Sequence, residues 1–309
     1  MTERPVRTVF LGSGDFAVPT LRSLTGHPHI ELVGIVTAPP RPAGRRQELL
    51  PTPVHLAAEA HGLSVLTPPR LRAAEGILAV QELEPDLLVL ADYGRLVPAE
   101  LLEPRHGALN LHPSLLPRHR GATPVPAAIL AGDAVTGVTL MRMDAGLDSG
   151  PIVAQGRWAL DGDETTPELE MALAGEAAAL LERSLDPWLS GELPAIPQPA
   201  VGATLTRPLR REDGRLDIDD SAVQLERQIR AYQPWPGSFV ETPGGRLVIW
   251  SAVPERAGPR AGTFDDLGLG VGRGERLRLH DVQPAGGRRM PWSEFVRGRP
   301  GIVGSSIVG

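Results

Sequence analysis

The first two hundred residues alternate between short apolar runs and stretches of helical periodicity. Residues 6–11 form an apolar β-run, and residues 16–24 carry the three- and four-residue spacing of a helix. A second β-run covers 30–36, helix-like patterns cover 54–61 and 71–83, and a continuous apolar run covers 87–90 and ends at Ala91. Residues 108–111 make another short strand. Strands separated by helices at this spacing predict βαβ units and an α/β domain with a mainly parallel sheet. The pattern then changes. A short helical piece at 222–232 is followed by β-runs at 246–250, 268–271 and 276–280, separated by Gly, Pro and Asp turns. That pattern predicts a small β-barrel or sandwich. Between the two parts, residues 193–203 are proline-rich and uncharged, as in an extended linker. The expected organisation is a domain at 1–192, a linker at 193–205 and a second domain at 206–309.

Length agrees with two domains, since 309 residues exceed one typical domain. Apolar residues at 41% and charged residues at 22% exclude collagen, coiled coil and wholesale disorder. No stretch of eighteen uncharged apolar residues is present, so no membrane span is expected. The start runs into a strand without a signal-peptide core, which points to a cytoplasmic protein. The absence of cysteine excludes disulfides, thiolate nucleophiles and Cys-ligated zinc. Lysine is absent too, so all 31 basic residues are arginine, and Schiff-base and Walker-lysine chemistry are excluded. The net charge of −6 is uneven: residues 1–205 carry −9 and residues 206–309 carry +3. A mildly basic second half is consistent with a polyanionic partner.

Two stretches bear on chemistry. Gly12-Ser13-Gly14 follows the first strand, but position 17 is alanine and Val36-Thr37-Ala38 offers no acid for a ribose. It reads as a strand-to-helix turn and not as a dinucleotide site. The run Leu109-Asn110-Leu111-His112-Pro113-Ser114-Leu115-Leu116-Pro117 is more informative. Asn110 and His112 lie two apart on a strand end and so share a face, at the carboxyl edge where parallel sheets bind ligands. Downstream, Met143-Asp144-Ala145-Gly146-Leu147-Asp148-Ser149-Gly150 is a glycine-punctuated acidic loop. An amide donor, an imidazole and a carboxylate, if the fold brings them together, suit acyl or formyl transfer. The alternative is that Asn110 and His112 only hydrogen-bond the end of a strand. His27, His29, His55, His61 and His106 show no metal-ligand spacing and read as surface or loop residues; His119 lies near the site and could touch substrate, the alternative being solvent exposure. Tyr232 and Trp235, in a proline-rich turn, are expected to pack and not to stack on bases.

Asn110-Leu111-His112-Pro113-Ser114-Leu115-Leu116-Pro117, followed by Gly146-Leu147-Asp148-Ser149-Gly150, resembles the 10-formyltetrahydrofolate-dependent formyltransferases, which share N-x-H-x-S-x-L-P and a later G-x-D-[ST]-G. Within that superfamily the chain is most similar to the branch that formylates methionyl-initiator-tRNA. Arg41-Pro42-Ala43-Gly44-Arg45, Tyr232-Gln233-Pro234-Trp235-Pro236-Gly237 and Val282-Gln283-Pro284-Ala285-Gly286 carry this finer likeness. The resemblance implies a Rossmann-like catalytic domain and an OB-like C-terminal barrel that tracks tRNA. It implies 10-formyltetrahydrofolate as cosubstrate, no metal, and a monomer acting on initiator methionyl-tRNA for translation initiation.

By the same resemblance, Asn110, His112 and Asp148 take the catalytic positions. Asn110 and a protonated His112 would stabilise the oxyanion, with Asp148 raising the His112 pKa and helping to move the proton of the amine. Ser114, Leu115, Leu116 and Pro117 occupy the tetrahydrofolate stretch. Leu90, Ala91, Asp92, Tyr93 and the loop containing Asp144 would wall the pterin pocket, largely through backbone groups. Residues 39–52, with Arg41, Arg45 and Arg46, match a loop that grips the acceptor end of tRNA. Arg207 and Arg210 stand where the family often has lysines. Two departures are visible: Gly12-Ser13-Gly14 replaces the usual G-T-P, and Arg46-Gln47-Glu48 replaces a lysine pair. Two other readings stand beside this one. The same chemistry can serve an amino-sugar nucleotide or another small amine, and a non-catalytic tRNA- or folate-binding protein is the reading from a different class.

Overall fold

The computed structural model describes residues 4–43 and 47–308. The chain divides into two units: Met1–Pro124, Val135–Ala159 and Glu170–Thr206 form the first, and Val125–Ala134, Leu160–Leu169 and Arg207–Gly309 form the second. The boundary expected at residue 192 is therefore not where the chain divides. The stretch expected as an extended linker lies inside the first unit, where Ile196 exchanges backbone hydrogen bonds with Ile152 at 2.8 Å.

In chain order the elements up to residue 206 are β1 (Val6–Gly12), α1 (Ala17–Thr25), β2 (Ile30–Val36), β3 (Arg41–Ala43), β4 (Glu48–Leu50), α2 (Pro53–Ala60), β5 (Val65–Leu66), α3 (Ala74–Gln81), β6 (Leu87–Ala91), β7 (Ala108–His112), β8 (Arg120–Gly121), α4 (Pro124–Ala131), β9 (Val135–Arg142), β10 (Ile152–Ala159), α5 (Thr166–Leu189) and β11 (Leu205–Thr206). Seven strands form one sheet in the order β10-β9-β7-β6-β1-β2-β5. The pairs among β5, β2, β1, β6 and β7 are parallel, and β9 and β10 add an antiparallel edge. All five residues of β6 are buried, as expected for a continuous apolar run covered on both faces. α2 begins at Thr52, whose Oγ1 accepts the His55 backbone N–H at 3.1 Å, with Pro53 in the first turn where no N–H is needed.

The chain leaves β1 toward β2 and β5, then returns to the other side of β1 for β6 and β7, which makes the β1/β6 carboxyl edge the switch point of the sheet. Asp92, just past β6, reaches across this edge to the turn after β1. The Ser13 N–H donates to the Asp92 carbonyl at 2.9 Å, and a Cβ at residue 14 would overlap the Asp92 carboxylate. Gly14 is thus what lets Asp92 pack across the turn. One strand over, β7 ends in His112.

Residues 39–52 do not remain a plain loop. β3 and β4 pair as an isolated antiparallel ribbon, Arg41 opposite Leu50 and Ala43 opposite Glu48. Pro42 is tolerated because a two-strand ribbon leaves one edge of each strand unpaired. Arg41 lies on this ribbon, whereas Arg45 and Arg46 lie outside the described residues.

The second unit holds α6 (Ala222–Ala231), β12 (Ser238–Thr242), β13 (Gly245–Glu255), β14 (Gly268–Val271), β15 (Glu275–Pro284), β16 (Met290–Pro291) and α7 (Trp292–Gly298). Its strands form an antiparallel, barrel-like sheet in the order β12-β13-β15-β14, with β16 on β15. α6 starts with a capping box between Ser221 and Gln224 and buries Ala222, Leu225 and Ile229 on one stripe. Trp235 is 54% exposed, so it does not pack as the sequence reading expected. Among the described residues, no helix is long and apolar enough to cross a membrane.

Candidate active site

Asn110 and His112 lie on β7, in register with Met141 and Thr139 of β9. Asn110 is half-buried, while His112 is buried at the strand end. The Nε2 of His112 faces the His119 carbonyl at 2.9 Å, so this nitrogen carries the proton and donates. Nδ1 of the neutral ring then offers its lone pair toward Asp148 Oδ2, 3.7 Å away. The same Oδ2 accepts the Gly121 backbone N–H at 2.8 Å. Two proton acceptors therefore face each other across a gap that one proton can fill.

Burial and charge pull the His112 pKa in opposite directions. Burial lowers its pKa, and this outweighs the opposing effect of the Asp148 carboxylate and the His119 carbonyl. Asp148 acts in the expected direction, against the effect of burial. In a long-range ¹H–¹⁵N spectrum at pH 7, His112 is expected as the neutral Nε2–H tautomer and should remain neutral as pH falls through 6.5. An imidazolium signature at pH 7 would remove this assignment. His119 lies beside the site and not in solvent: it is buried and sits at φ 58°, which turns its carbonyl toward His112. Asp148 is also left-handed, at φ 47°. Non-glycine residues in this region persist only where neighbours over-determine them.

Of the residues expected at the folate stretch, Ser114 is fully buried and its Oγ donates to the Arg118 carbonyl at 2.6 Å. Leu116 is buried, its N–H donating to Thr139 Oγ1 at 3.0 Å and its carbonyl accepting from Gln155 Nε2 at 3.0 Å. Leu115 is half-buried, and the Pro117 carbonyl accepts from Thr204. The turn is thus braced internally by these groups. Leu90 and Tyr93 belong to the apolar core with Val9 and Leu11, and Ala91 is buried in β6. Asp144 closes the acidic loop, its carboxylate accepting from the Gly146 N–H at 2.9 Å and the Ser149 hydroxyl at 3.0 Å.

Asp92 has its own chemistry. Asp15, Asp92 and Glu170 retain exposed surface, yet their carboxyl groups crowd one another. Lost hydration, then Asp15, pushes Asp92 up to about 6; lost hydration, then Asp92 and Asp15, pushes Glu170 up to about 7. Raised carboxyl pKa values mean that the folded state binds more protons than the unfolded one. Stability should therefore fall as pH rises from about 4 toward about 7. Asp92→Asn is expected to raise the melting temperature by a few degrees at pH 8, on the order of 1 kcal/mol after solvent screening, and by less at pH 5. Thermal melts at the two pH values check this; an equal shift at both would refute the electrostatic account.

Outside this region, Arg207 is bound bidentately to Asp213 at 2.7 and 2.6 Å, and that pairing pulls Asp213 down to about 2. The charge of Arg207 is thus partly answered within its own unit, while Arg210 is exposed and gives its backbone N–H to the same carboxylate. The fold also unites His27 and His29 with Asp186, ligand atoms within 4.8 Å of one another, a convergence invisible to local spacing. His29 Nδ1 lies 2.8 Å from Asp186, and His27 Nδ1 accepts the His29 backbone N–H at 3.3 Å. That leaves the His27 proton on Nε2, facing Asp186, so the group reads as a carboxylate held by two imidazoles.

The formyl transferase family matches residues 6–185, and the formyl transferase C-terminal domain family matches residues 208–300. A methionyl-tRNA formyltransferase from Gluconacetobacter diazotrophicus is 46% identical over 308 residues, covering 98% of this chain and 99% of its own. One from Novosphingobium aromaticivorans is 43% identical, covering 98% of this chain and 100% of its own. Among solved structures, the N-formyltransferase of Helicobacter canadensis, in complex with folinic acid and dTDP-3-aminofucose, superposes with a TM-score of 0.64 at 15% identity, covering 89% of this chain and 98% of its own. HypX of Aquifex aeolicus in complex with tetrahydrofolic acid gives 0.60 at 17% identity, covering 94% of this chain and 47% of its own. At these identities the two structures speak to fold alone.

Proposed function

Because the chain belongs to the methionyl-tRNA formyltransferase family, we propose that it carries a formyl group from 10-formyltetrahydrofolate to the α-amine of methionyl-initiator-tRNA. One observation carries the chemistry: two unprotonated acceptors, His112 Nδ1 and Asp148 Oδ2, meet at 3.7 Å beside Asn110 on the carboxyl edge of the sheet. The amine nitrogen attacks the formyl carbon, and the formyl oxygen becomes an oxyanion that accepts from the Asn110 side-chain amide. The proton released by the amine enters the gap between His112 and Asp148. There the new imidazolium is stabilised by the carboxylate and held in place by its Nε2–H on the His119 carbonyl. The oxyanion then collapses, the bond from the formyl carbon to N10 breaks, and N10 leaves with the proton that His112 took from the amine.

The folate stretch 114–117, the β6 end at 90–93 and the loop containing Asp144 are proposed to line the cosubstrate site through backbone groups, since several of their side chains already brace the fold. Arg41, Arg45, Arg46, Arg207 and Arg210 are proposed to meet tRNA phosphates, Arg207 contributing least because Asp213 already holds it. The near-complete coverage of relatives named for methionyl-tRNA favours this acceptor over an amino-sugar nucleotide. Incubation with labelled 10-formyltetrahydrofolate and methionyl-tRNA, initiator or elongator, tests the reading: label is expected in the initiator form. Transfer to an amino-sugar nucleotide with none to either tRNA would overturn it.

A further inference from the structure

The segment after α5 is more than a connection. Gln198 is half-buried and all four hydrogen-bonding capacities of its amide are used. Its Nε2 donates to the carbonyls of Asp148 and Gly150, both at 2.8 Å. Its Oε1 accepts from Arg120 Nε at 3.0 Å and Nη2 at 2.7 Å. One side chain thus ties the loop carrying Asp148 to the strand carrying Gly121, whose N–H binds the Asp148 carboxylate. A few residues on, the same segment holds the histidine side of the pair. Thr204 Oγ1 accepts the His119 N–H at 2.8 Å, the Thr204 carbonyl accepts the Arg120 N–H at 3.0 Å, and β11 pairs in parallel with β8. His119 in turn holds His112. Gly121, at φ 101°, has no room for a Cβ beside the Thr206 carbonyl, so the segment is seated directly against β8.

We propose that Gln198 is a positioning residue for formyl transfer, fixing the left-handed Asp148 and its distance to His112. The inference rests on the reading of Asp148 as the carboxylate that stabilises the protonated His112. Asp148 sits at φ 47°, a conformation that costs on the order of 1–3 kcal/mol unless its surroundings enforce it. The enforcement is visible: its carbonyl is held by Gln198 and its carboxylate by Gly121. Without the first, the loop relaxes, and a displacement of about 1 Å at a reacting group can lower turnover about 100-fold.

Two substitutions separate this from a general structural role. Gln198→Leu removes both ties. Gln198→Glu keeps an acceptor for Arg120 but cannot donate to the carbonyls of Asp148 and Gly150. Both variants are expected to lower kcat by about 10- to 100-fold, with KM for formyl donor and methionyl-tRNA within a few-fold of wild type. The decisive reading is in an Asp148→Asn background, where Gln198→Glu should cost almost nothing further, because its effect passes through the carboxylate that is gone. Wild-type kcat in Gln198→Glu, or the same fold-loss with and without Asp148, overturns the proposal. If Asp148→Asn itself keeps wild-type kcat, it is the reading of the active site that fails.

Discussion

Replacing Asn110 by alanine is expected to lower kcat by roughly 10²–10³, the scale for losing one oxyanion-hole donor, while the affinity for the formyl donor changes only a few-fold. The reason is where the sheet puts it. Asn110 is two residues before His112 on β7, so both point to one face. β7 is flanked by β6 and β9, with Asn110 opposite Leu90 on one side and Met141 on the other. A strand paired on both edges is rigid, which is what a donor aimed at developing charge requires. Because the interaction strengthens only as charge develops on the formyl oxygen, its loss belongs in kcat and not in ground-state binding. Steady-state kinetics with a folate-binding titration check it. Asn110→Ala with more than a tenth of wild-type kcat would take Asn110 out of the oxyanion role.

The second large effect is at the acceptor pair. His112→Ala and Asp148→Asn should each lower kcat by roughly 10²–10⁴, the range for a general acid–base group, and the double variant should lose little more than the worse single one. His112 is buried and neutral, so a proton arriving at Nδ1 creates a charge in a poorly hydrated place. Asp148, 3.7 Å away, answers that charge. With Asp148 neutralised, His112 becomes a poorer base; with His112 gone, Asp148 keeps its bond to the Gly121 N–H but has lost the base it served. Single-turnover rates on the four proteins give the coupling. Losses that simply multiply would show that the two residues act independently.

Much of the scaffold is legible in periodicity. β2, β6 and β14 fall on the apolar runs at 30–36, 87–91 and 268–271, and β6 and β14, buried along their length, carry no charge. Helix edges are less legible: 71–83 has a helical pattern, but α3 occupies only Ala74–Gln81. The β9–β10 hairpin and α5 are not among the elements that periodicity marks. Strands of a hairpin on the sheet edge follow a partner strand and not a βαβ rhythm, so the mainly parallel prediction left their place open. The ribbon at 41–50 was hidden for a related reason, since its strands pair with each other and β4 is exposed along its length.

For the site, the sequence alone determines which chemistry is available. Without cysteine or lysine, and with Asn110 and His112 two apart at a strand end, acyl transfer by an amide and an imidazole was already indicated. Asp148 and its glycine loop were legible as a motif. The protonation of His112 was not, because it depends on burial and on a carbonyl seven residues away that is turned inward by a left-handed residue. Nor could local spacing reveal that Gln198, fifty residues beyond Asp148, closes the loop, or that Asp186 joins His27 and His29. Residue types and short spacings are local properties and can be read along the chain. Hydration, charge balance and hydrogen bonds across long separations exist only once the chain has folded, and it is these that decide which atom of His112 holds a proton.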